Sequence, residues 1–113
     1  MLYFWLPARK ARPDKPQMIV TIEADLEPIL PGYLSRVQDE VEQLLSAHEK
    51  SDFSIIGRIA HNWKGSGSGY GLDRISELGT ALEEAAQRKD LELISTSLKE
   101  MQSFLASLEI RYA

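Results

Sequence analysis

The residue with the clearest chemical potential in this sequence is His61, because of the residue types that surround it at helical spacing. On a helix, the residues four before and four after a given position lie directly below and above it on the surface. For His61 these residues are Gly57 and Gly65. A glycine inside a helix costs about 0.5 to 1 kcal/mol relative to alanine. Two of them beside an exposed histidine therefore indicate a cleared surface that another molecule approaches closely.

Two cations flank the same histidine. Arg58 and Lys64 lie three residues before and three residues after His61, and Ser68 lies one further turn along. Neighbouring positive charges favour the neutral imidazole, which leaves a ring nitrogen available as a nucleophile. The same charges would stabilise an anionic group bound to that nitrogen. Because phosphoryl transfer depends mainly on positioning and charge stabilisation, the pattern suits a phosphoryl acceptor.

The elements that must position these residues are predicted to be helices. From residue 25 onward, apolar residues recur three and four positions apart, as on one face of a helix. We predict a first helix over about 33–48, a second after a cap at Ser51 or Asp52, a third after the glycine-rich stretch 65–71, and a fourth capped by Asp90. Short connections between them favour an all-α fold, an antiparallel up-down-up-down four-helix bundle.

The two ends of the bundle carry further expectations. Asp25 is expected to cap a short N-terminal lead-in helix, which Pro31-Gly32 would end. Residues 18–22 have β propensity, but the sequence offers them no evident strand partner. At the other end, the apolar stripe of the fourth helix is expected to continue to Leu108.

The first part of the chain differs in composition from the rest. Its prolines predict an extended or flexible segment over residues 1–17, followed by one bundle domain over residues 18–113. The apolar and aromatic run 2–6 could strap onto the domain or onto a neighbouring copy, or could bind a partner. Basic residues follow this run instead of preceding it, which is the reverse of a secretory signal. We therefore expect a cytoplasmic protein.

The composition excludes several classes of function. The 113 residues are 43% apolar and 27% charged, a balance typical of a single globular domain. The formal charge of −4 argues against nucleic acid as a partner. The absence of cysteine and the presence of only two histidines argue against thiol chemistry and metal sites. No apolar run reaches the roughly 18 to 20 residues that span a bilayer, so we expect no membrane contact. A monomer is the default expectation.

The residues around His61 also resemble a known family. Residues 60–66 read Ala-His-Asn-Trp-Lys-Gly-Ser, Gly71 lies ten residues after the histidine, and a helical stripe ending in Leu82-Glu83 follows. This pattern strongly resembles the histidine phosphotransfer (HPt) domain, a four-helix bundle. Trp63 stands where the family usually has leucine, and we expect it to fill the core.

The resemblance implies a role for individual residues. His61 would be the phosphorylated residue, with Lys64 close to the phosphoryl group and Gly65 leaving room for the partner. HPt domains relay phosphoryl groups between aspartates of receiver domains, usually from a hybrid sensor histidine kinase to a response regulator. The magnesium ion in that reaction belongs to the receiver, so the resemblance implies no cofactor bound by this chain and no kinase activity of its own. Partner-docking residues would be Gly57, Arg58, Gly65 and Ser68.

Other interpretations compete with this hypothesis. A helical module that docks a receiver domain or another protein without accepting phosphate is the main alternative, and a small hydrolase or metal-dependent enzyme is a weaker one. Lys64-Gly65-Ser66 reverses the order of a nucleotide-binding P-loop and gives no support for nucleotide binding. His48 is expected to be structural, near the end of a helix. Glu83 and Glu84 are expected to belong to solvated helix faces.

Overall fold

The structure is a computed structural model that describes residues 18–113 and the backbone of residues 2–4. The predictions for residues 1 and 5–17 lie outside the described residues. Four long helices dominate the described part: α1 (Leu30–Glu49), α2 (Phe53–Ser66), α3 (Asp73–Gln87) and α4 (Leu91–Ser107). Each helix packs against two others, so that α1 contacts α2 and α4, and α3 contacts the same two. This arrangement confirms the predicted four-helix bundle.

The apolar stripes predicted from the sequence meet in one core. It is filled mainly by leucine, isoleucine and Trp63, which is 1% exposed. The core also includes aromatic and methionine side chains of α1 and α4, among them Tyr33, Met101 and Phe104. No helix in the described part of the chain is long and apolar enough to cross a bilayer.

Side-chain caps begin two of the helices. The Oδ1 atom of Asp52 accepts a hydrogen bond from the Ile55 amide at 3.2 Å, and Oδ1 of Asp90 accepts one from the Leu93 amide at 3.0 Å. Each bond satisfies an amide that has no partner within its own helix. Of the two caps proposed for α2, the structure therefore uses Asp52. Ser51 instead adopts a positive φ of 53° in the turn before it.

We expect the Asp90→Ala variant to lose about 1 kcal/mol of the free energy of unfolding, because the first turn of α4 then has one amide without a partner. Urea unfolding followed by circular dichroism measures this loss. Asp39→Ala is the matched control, since Asp39 is exposed in the middle of α1 and is not a cap. Equal stability of the two variants would contradict the assigned role of Asp90.

The start of the bundle differs from the prediction. A single 3-10 turn occupies Ala24–Leu26, without a side-chain cap, and Asp25 lies inside it. Pro31-Gly32 does not end a helix but belongs to the first turn of α1, which begins at Leu30. The physical reason is that proline fits the first turn of a helix, where its missing N–H group would have no partner.

The structure also contains a small three-stranded sheet, which was not predicted. It consists of β1 (Leu2–Phe4), β2 (Met18–Ile22) and β3 (Leu108–Tyr112), in the order β1-β3-β2. The central strand β3 pairs with β1 antiparallel and with β2 parallel, in a register that joins Val20 to Ile110. Residues 18–22 therefore do have a strand partner, ninety positions later in the chain.

The fourth helix consequently ends earlier than predicted. Leu108 is the first residue of β3 and not part of α4, although it is buried in the same core. From Leu108 onward, successive side chains alternate between the two faces of β3. Leu108, Ile110 and Tyr112 join the core, while Glu109, which is also buried, contacts the exposed Arg111 on the other face at 3.6 Å. Alternation of this kind is the pattern of a strand, but over five residues it is shorter than the helical stripe that precedes it.

Candidate phosphoacceptor site

His61 lies on the exposed surface of α2, as predicted from its position relative to the apolar stripe. Its side chain is 69% exposed. The Nδ1 atom lies 2.9 Å from Oε2 of Glu83 on α3. An ionised carboxylate can only accept hydrogen bonds, so this contact assigns the ring proton to Nδ1. In the neutral imidazole, the other ring nitrogen, Nε2, then carries the free lone pair.

Glu83 belongs to the candidate site by its contacts, although the sequence pattern did not predict this. Its second oxygen, Oε1, accepts a hydrogen bond from Nζ of Lys64 at 3.3 Å, so that one carboxylate joins both residues of the motif. The Glu83 side chain is only 20% exposed. The prediction that it belongs to a solvated helix face was therefore wrong. The family signature did contain a glutamate at this place, but spacing alone did not show that its side chain reaches back to α2.

The electrostatics of Glu83 follow from these two contacts. The hydrogen bond from His61, and after it the one from Lys64, lower the pKa of the Glu83 carboxyl below its usual value. Both partners favour the ionised form by donating to the carboxylate. Glu83 is therefore ionised at neutral pH and can accept both hydrogen bonds.

A glycine on α3 explains why Glu83 reaches the site. Gly79 lies one helical turn before Glu83, and a Cβ atom there would be 2.5 Å from the Lys64 amide nitrogen and 2.8 Å from the Ala60 carbonyl oxygen. No side chain larger than hydrogen fits between these backbones. The two helices therefore cross in close contact directly beneath His61, which places the next turn of α3 against the His61 side chain.

The glycines of α2 and its end have different roles. A Cβ at Gly65 would meet nothing within 4 Å, so this position is open as predicted. Gly57 is half-buried, and a Cβ there would lie 3.8 Å from Cβ of Ala86, at ordinary contact with α3. Gly67 is buried, and a Cβ there would come within 2.6 Å of the Ser76 amide nitrogen. Gly67 thus permits the close contact between the end of α2 and α3.

The two cations that flank His61, Lys64 and Arg58, have different surroundings in the structure. Lys64 shares Glu83 with His61, whereas Arg58 is exposed and forms no ion pair within the described residues. Ser68 does not continue the line of His61 along α2, because it lies in a 3-10 turn after the helix. Its amide and hydroxyl both donate to Oγ of Ser76, at 2.8 and 3.1 Å. Ser68 therefore anchors the turn to α3.

A groove of about 510 Å³ runs between α1 and α2 beside His61. It is lined by Tyr33, Arg36, Glu40, His61, Asn62, Trp63, Gly65 and Ser66. The Trp63 indole donates to Oε1 of Glu40 at 2.8 Å, which satisfies the polar atom of an otherwise buried ring. This bond lets the larger residue replace leucine in the core without disturbing the exposed face.

Tyr33 forms the far wall of this groove. Its ring stacks on Tyr70 with centroids 3.9 Å apart, and its hydroxyl lies 2.8 Å from the Ser66 hydroxyl. Burial raises the pKa of Tyr33 above its usual value. The guanidinium of Arg36 lies 5.3 Å from the centre of the same ring, within cation–π distance. The groove thus presents a cation held against an aromatic platform near His61.

His48, the second histidine, has a structural contact. Its Nε2 atom lies 3.0 Å from the Leu91 carbonyl oxygen and so ties the end of α1 to the start of α4. Among residues 18–113 and the described backbone of β1, no cluster of three or more potential metal-ligating side chains is present.

Comparison with protein families agrees with the fold. The model of the Hpt domain matches residues 29–110, which include all four helices and the His61 motif. Comparison with curated proteins and with solved structures gave no significant match. The fold is a helical bundle with an exposed histidine on its second helix. The chain belongs to the Hpt domain family, whose members are phosphocarriers of two-component phosphorelays.

Proposed function

We propose that His61 accepts a phosphoryl group on Nε2 from the phosphoaspartate of one receiver domain and passes it to the aspartate of another. The observation that carries this proposal is the hydrogen bond from Nδ1 to Glu83, because it leaves the exposed Nε2 unprotonated and nucleophilic. On acceptance, the Nε2 lone pair forms the N–P bond while the O–P bond to the aspartate breaks. The electron pair of that bond returns to the carboxylate of the receiver.

Lys64 is the proposed partner of the transferred group. Its side chain is half-exposed on the next turn of α2, beside His61, and so is accessible to phosphoryl oxygens. We propose that the receivers belong to a hybrid sensor histidine kinase, a response regulator, or both, and that the Mg²⁺ needed for the reaction is held by the receiver. This chain then needs neither a nucleotide nor a cofactor.

The proposed docking surface surrounds His61. Gly65 gives access, because nothing lies within 4 Å of the position that a side chain would occupy. Two exposed arginines, Arg36 on α1 and Arg58 on α2, could pair with the acidic side chains around a receiver active site. Gly57 contributes to this surface only at its edge, since it packs toward Ala86, and Ser68 supports it from the turn after α2.

The direct test mixes the purified chain with a phosphorylated receiver domain and magnesium, and follows intact mass and the acid lability of the product. An acid-labile adduct of one phosphoryl group on this chain supports the carrier function. If competent receivers bind but no adduct forms, the chain is a docking module without phosphotransfer. The same assay run in reverse, with phosphorylated chain and free receiver, measures the preferred direction for each partner.

We expect the Gly65→Leu variant to lose phosphotransfer by at least about tenfold while its fold is retained. The new side chain points into open space, so it adds no clash within the bundle, but it obstructs a partner that must bring an aspartate to Nε2. Initial rates of transfer at a fixed receiver concentration measure the effect. Thr96→Leu places a similar side chain on an exposed site of α4, remote from α2, and should transfer at the wild-type rate. Unimpaired transfer in Gly65→Leu would exclude this face from docking.

A further inference from the structure

The strand β2 has an edge that no other described strand covers. In the order β1-β3-β2 it lies at one side of the sheet, and within the described residues it pairs only with β3. Its residues Met18 and Ile19 are 45% and 49% exposed. Natural edge strands usually carry a charge, a proline or a bulge that prevents pairing with a further strand. Residues 18–22 contain no charge and no proline, and their register with β3 is continuous. The edge therefore lacks the usual protection.

The hydrogen bonds at the end of β2 show which of its backbone groups face this open edge. Ala113 donates its amide to the Ile22 carbonyl at 3.0 Å, so Ile22 directs its backbone groups toward β3. Successive residues of a strand direct these groups to opposite sides, so Val20 also faces β3. The N–H and C=O groups of Ile19 and Thr21 consequently face the open edge.

We infer that two copies of this chain associate by pairing their β2 strands antiparallel, across a twofold axis that passes between the two Val20 residues. In this register Ile19 lies opposite Thr21 of the second copy, and Thr21 lies opposite Ile19 of the second copy. Each of these opposite pairs exchanges both of its backbone hydrogen bonds, so all the open groups of Ile19 and Thr21 find partners. Because a twofold contact uses the same patch on both chains, it needs no other protein.

The side chains of β2 fit this pairing. Val20 meets Val20 of the second copy at a position where opposite Cα atoms are about 4.5 Å apart. On the other face of the strand, Ile19 meets Thr21. All three residues are β-branched, and such residues pack well in cross-strand pairs. Val20 is half-buried in the single chain, so the second copy covers surface that is still exposed there.

The charge distribution also favours this edge as the contact between copies. The chain has a formal charge of −4, so two copies repel each other where acidic surfaces meet. The strand β2 has no charged side chain, and the adjacent outward residues of β3, Glu109 and Arg111, have opposite charges and lie 3.6 Å apart. No like charges therefore lie opposite each other along residues 18–22. None of these residues belongs to α2, so the inference does not depend on the proposed phosphotransfer.

The size of the contact sets its expected strength. Two five-residue strands bury much less than the roughly 1,200 Å² of a stable interface, so we expect a dissociation constant on the order of 100 μM. The chain is then a monomer in dilute solution, which is the default expectation from the sequence, and a dimer at high concentration.

Sedimentation equilibrium of the full chain, from about 10 μM to about 1 mM, tests the association directly. The weight-average mass should rise from that of one chain toward that of two chains. A mass that stays at one chain over the whole range would overturn the inference.

Amide hydrogen exchange over the same concentrations tests which groups become bonded. Exchange at Ile19 and Thr21 should slow about fivefold at the highest concentration, because their amides become hydrogen-bonded in the dimer. The Val20 and Ile22 amides already face β3 and should be protected at every concentration. Protection of Ile19 and Thr21 that is equally strong at the lowest concentration would show that the edge is covered within one chain, and would overturn the inference.

Two double variants test the register. Ile19→Lys with Thr21→Lys places like charges opposite each other in both pairs, and should raise the dissociation constant about tenfold. Ile19→Lys with Thr21→Glu places opposite charges there and should keep the dimer. Both positions are exposed, so circular dichroism should show an unchanged helix content. The control, Gln87→Lys with Thr96→Lys, adds the same charge at exposed helix positions away from β2 and should dimerise like the wild-type chain.

The two double variants are expected to differ because only the sign of one charge distinguishes them. An unchanged dimer in Ile19→Lys with Thr21→Lys would place the contact on another surface and overturn the inference. Equal loss of the dimer in both double variants would also overturn it, because the register centred on Val20 requires that opposite charges at these positions attract.

Discussion

The His61→Gln variant is expected to take up no acid-labile phosphoryl group from a phosphorylated receiver, whereas the wild-type chain is labelled to one group per molecule. Glutamine has no nitrogen with a free lone pair that could replace Nε2, since its amide nitrogen only donates hydrogen bonds. The loss should therefore be complete and not partial. Intact-mass spectrometry before and after brief acid treatment measures it directly.

Folding does not confound this result. The His61 side chain is 69% exposed and makes its hydrogen bond at the surface of the bundle, so its replacement leaves the core unchanged. Helicity and the urea midpoint should stay close to the wild-type values. His48→Gln is the matched control, because His48 is bound to the Leu91 carbonyl at the far end of α1 and should not affect labelling. Labelling that survives in His61→Gln would disprove the assignment of the phosphoacceptor.

The Gly79→Ala variant is expected to have the largest effect on stability, with a loss of about 1 to 3 kcal/mol in the free energy of unfolding. The added methyl group would lie 2.5 Å from the Lys64 amide nitrogen and 2.8 Å from the Ala60 carbonyl oxygen. Both are backbone atoms of α2 and cannot rotate away, so the two helices must separate. Urea unfolding at constant temperature measures the change.

The same separation should reach the site, because Glu83 follows Gly79 by one turn of α3. As α3 moves away from α2, the hydrogen bond from His61 to Glu83 lengthens and Lys64 loses its partner. We therefore expect phosphotransfer to slow in Gly79→Ala even under conditions where the variant is folded. Gly32→Ala is the control, since a Cβ there meets nothing within 4 Å. Equal unfolding curves for the two variants would show that the crossing tolerates a side chain.

Local signals in the sequence were sufficient for the helices and for the exposed position of His61. Helical periodicity over long stretches predicted four amphipathic elements, and the Asp52 and Asp90 caps depend on contacts within three residues. The exposure of His61 follows from its angle to the apolar stripe of the same helix, and the open space at Gly65 follows from the absence of a side chain. Each of these properties is fixed within one helix, so its signal lies in neighbouring positions.

The predicted helix boundaries were wrong where two local interpretations of the sequence compete. Leu108 continues a helical stripe and also begins an alternating run, and only the pairing of β3 with β2 favours the strand. Pro31-Gly32 is equally compatible with the end of one helix and the first turn of the next. The choice depends on whether Leu30 and Tyr33 find a shared core, in which both are buried.

The tertiary structure decided what surrounds the histidine. The amino-acid sequence determined the class of bundle, the exposure of His61 and the cation one helical turn from it. It did not determine that Glu83, twenty-two positions away, holds both His61 and Lys64. Nor did it determine that the parallel partner of residues 18–22 lies at 108–112. The physical reason is that these contacts join elements that are distant in the chain. The contacts of Glu83 also depend on how closely the backbones of α2 and α3 approach each other. Gly79 permits that close approach, and the local periodicity of the sequence contains no signal for it.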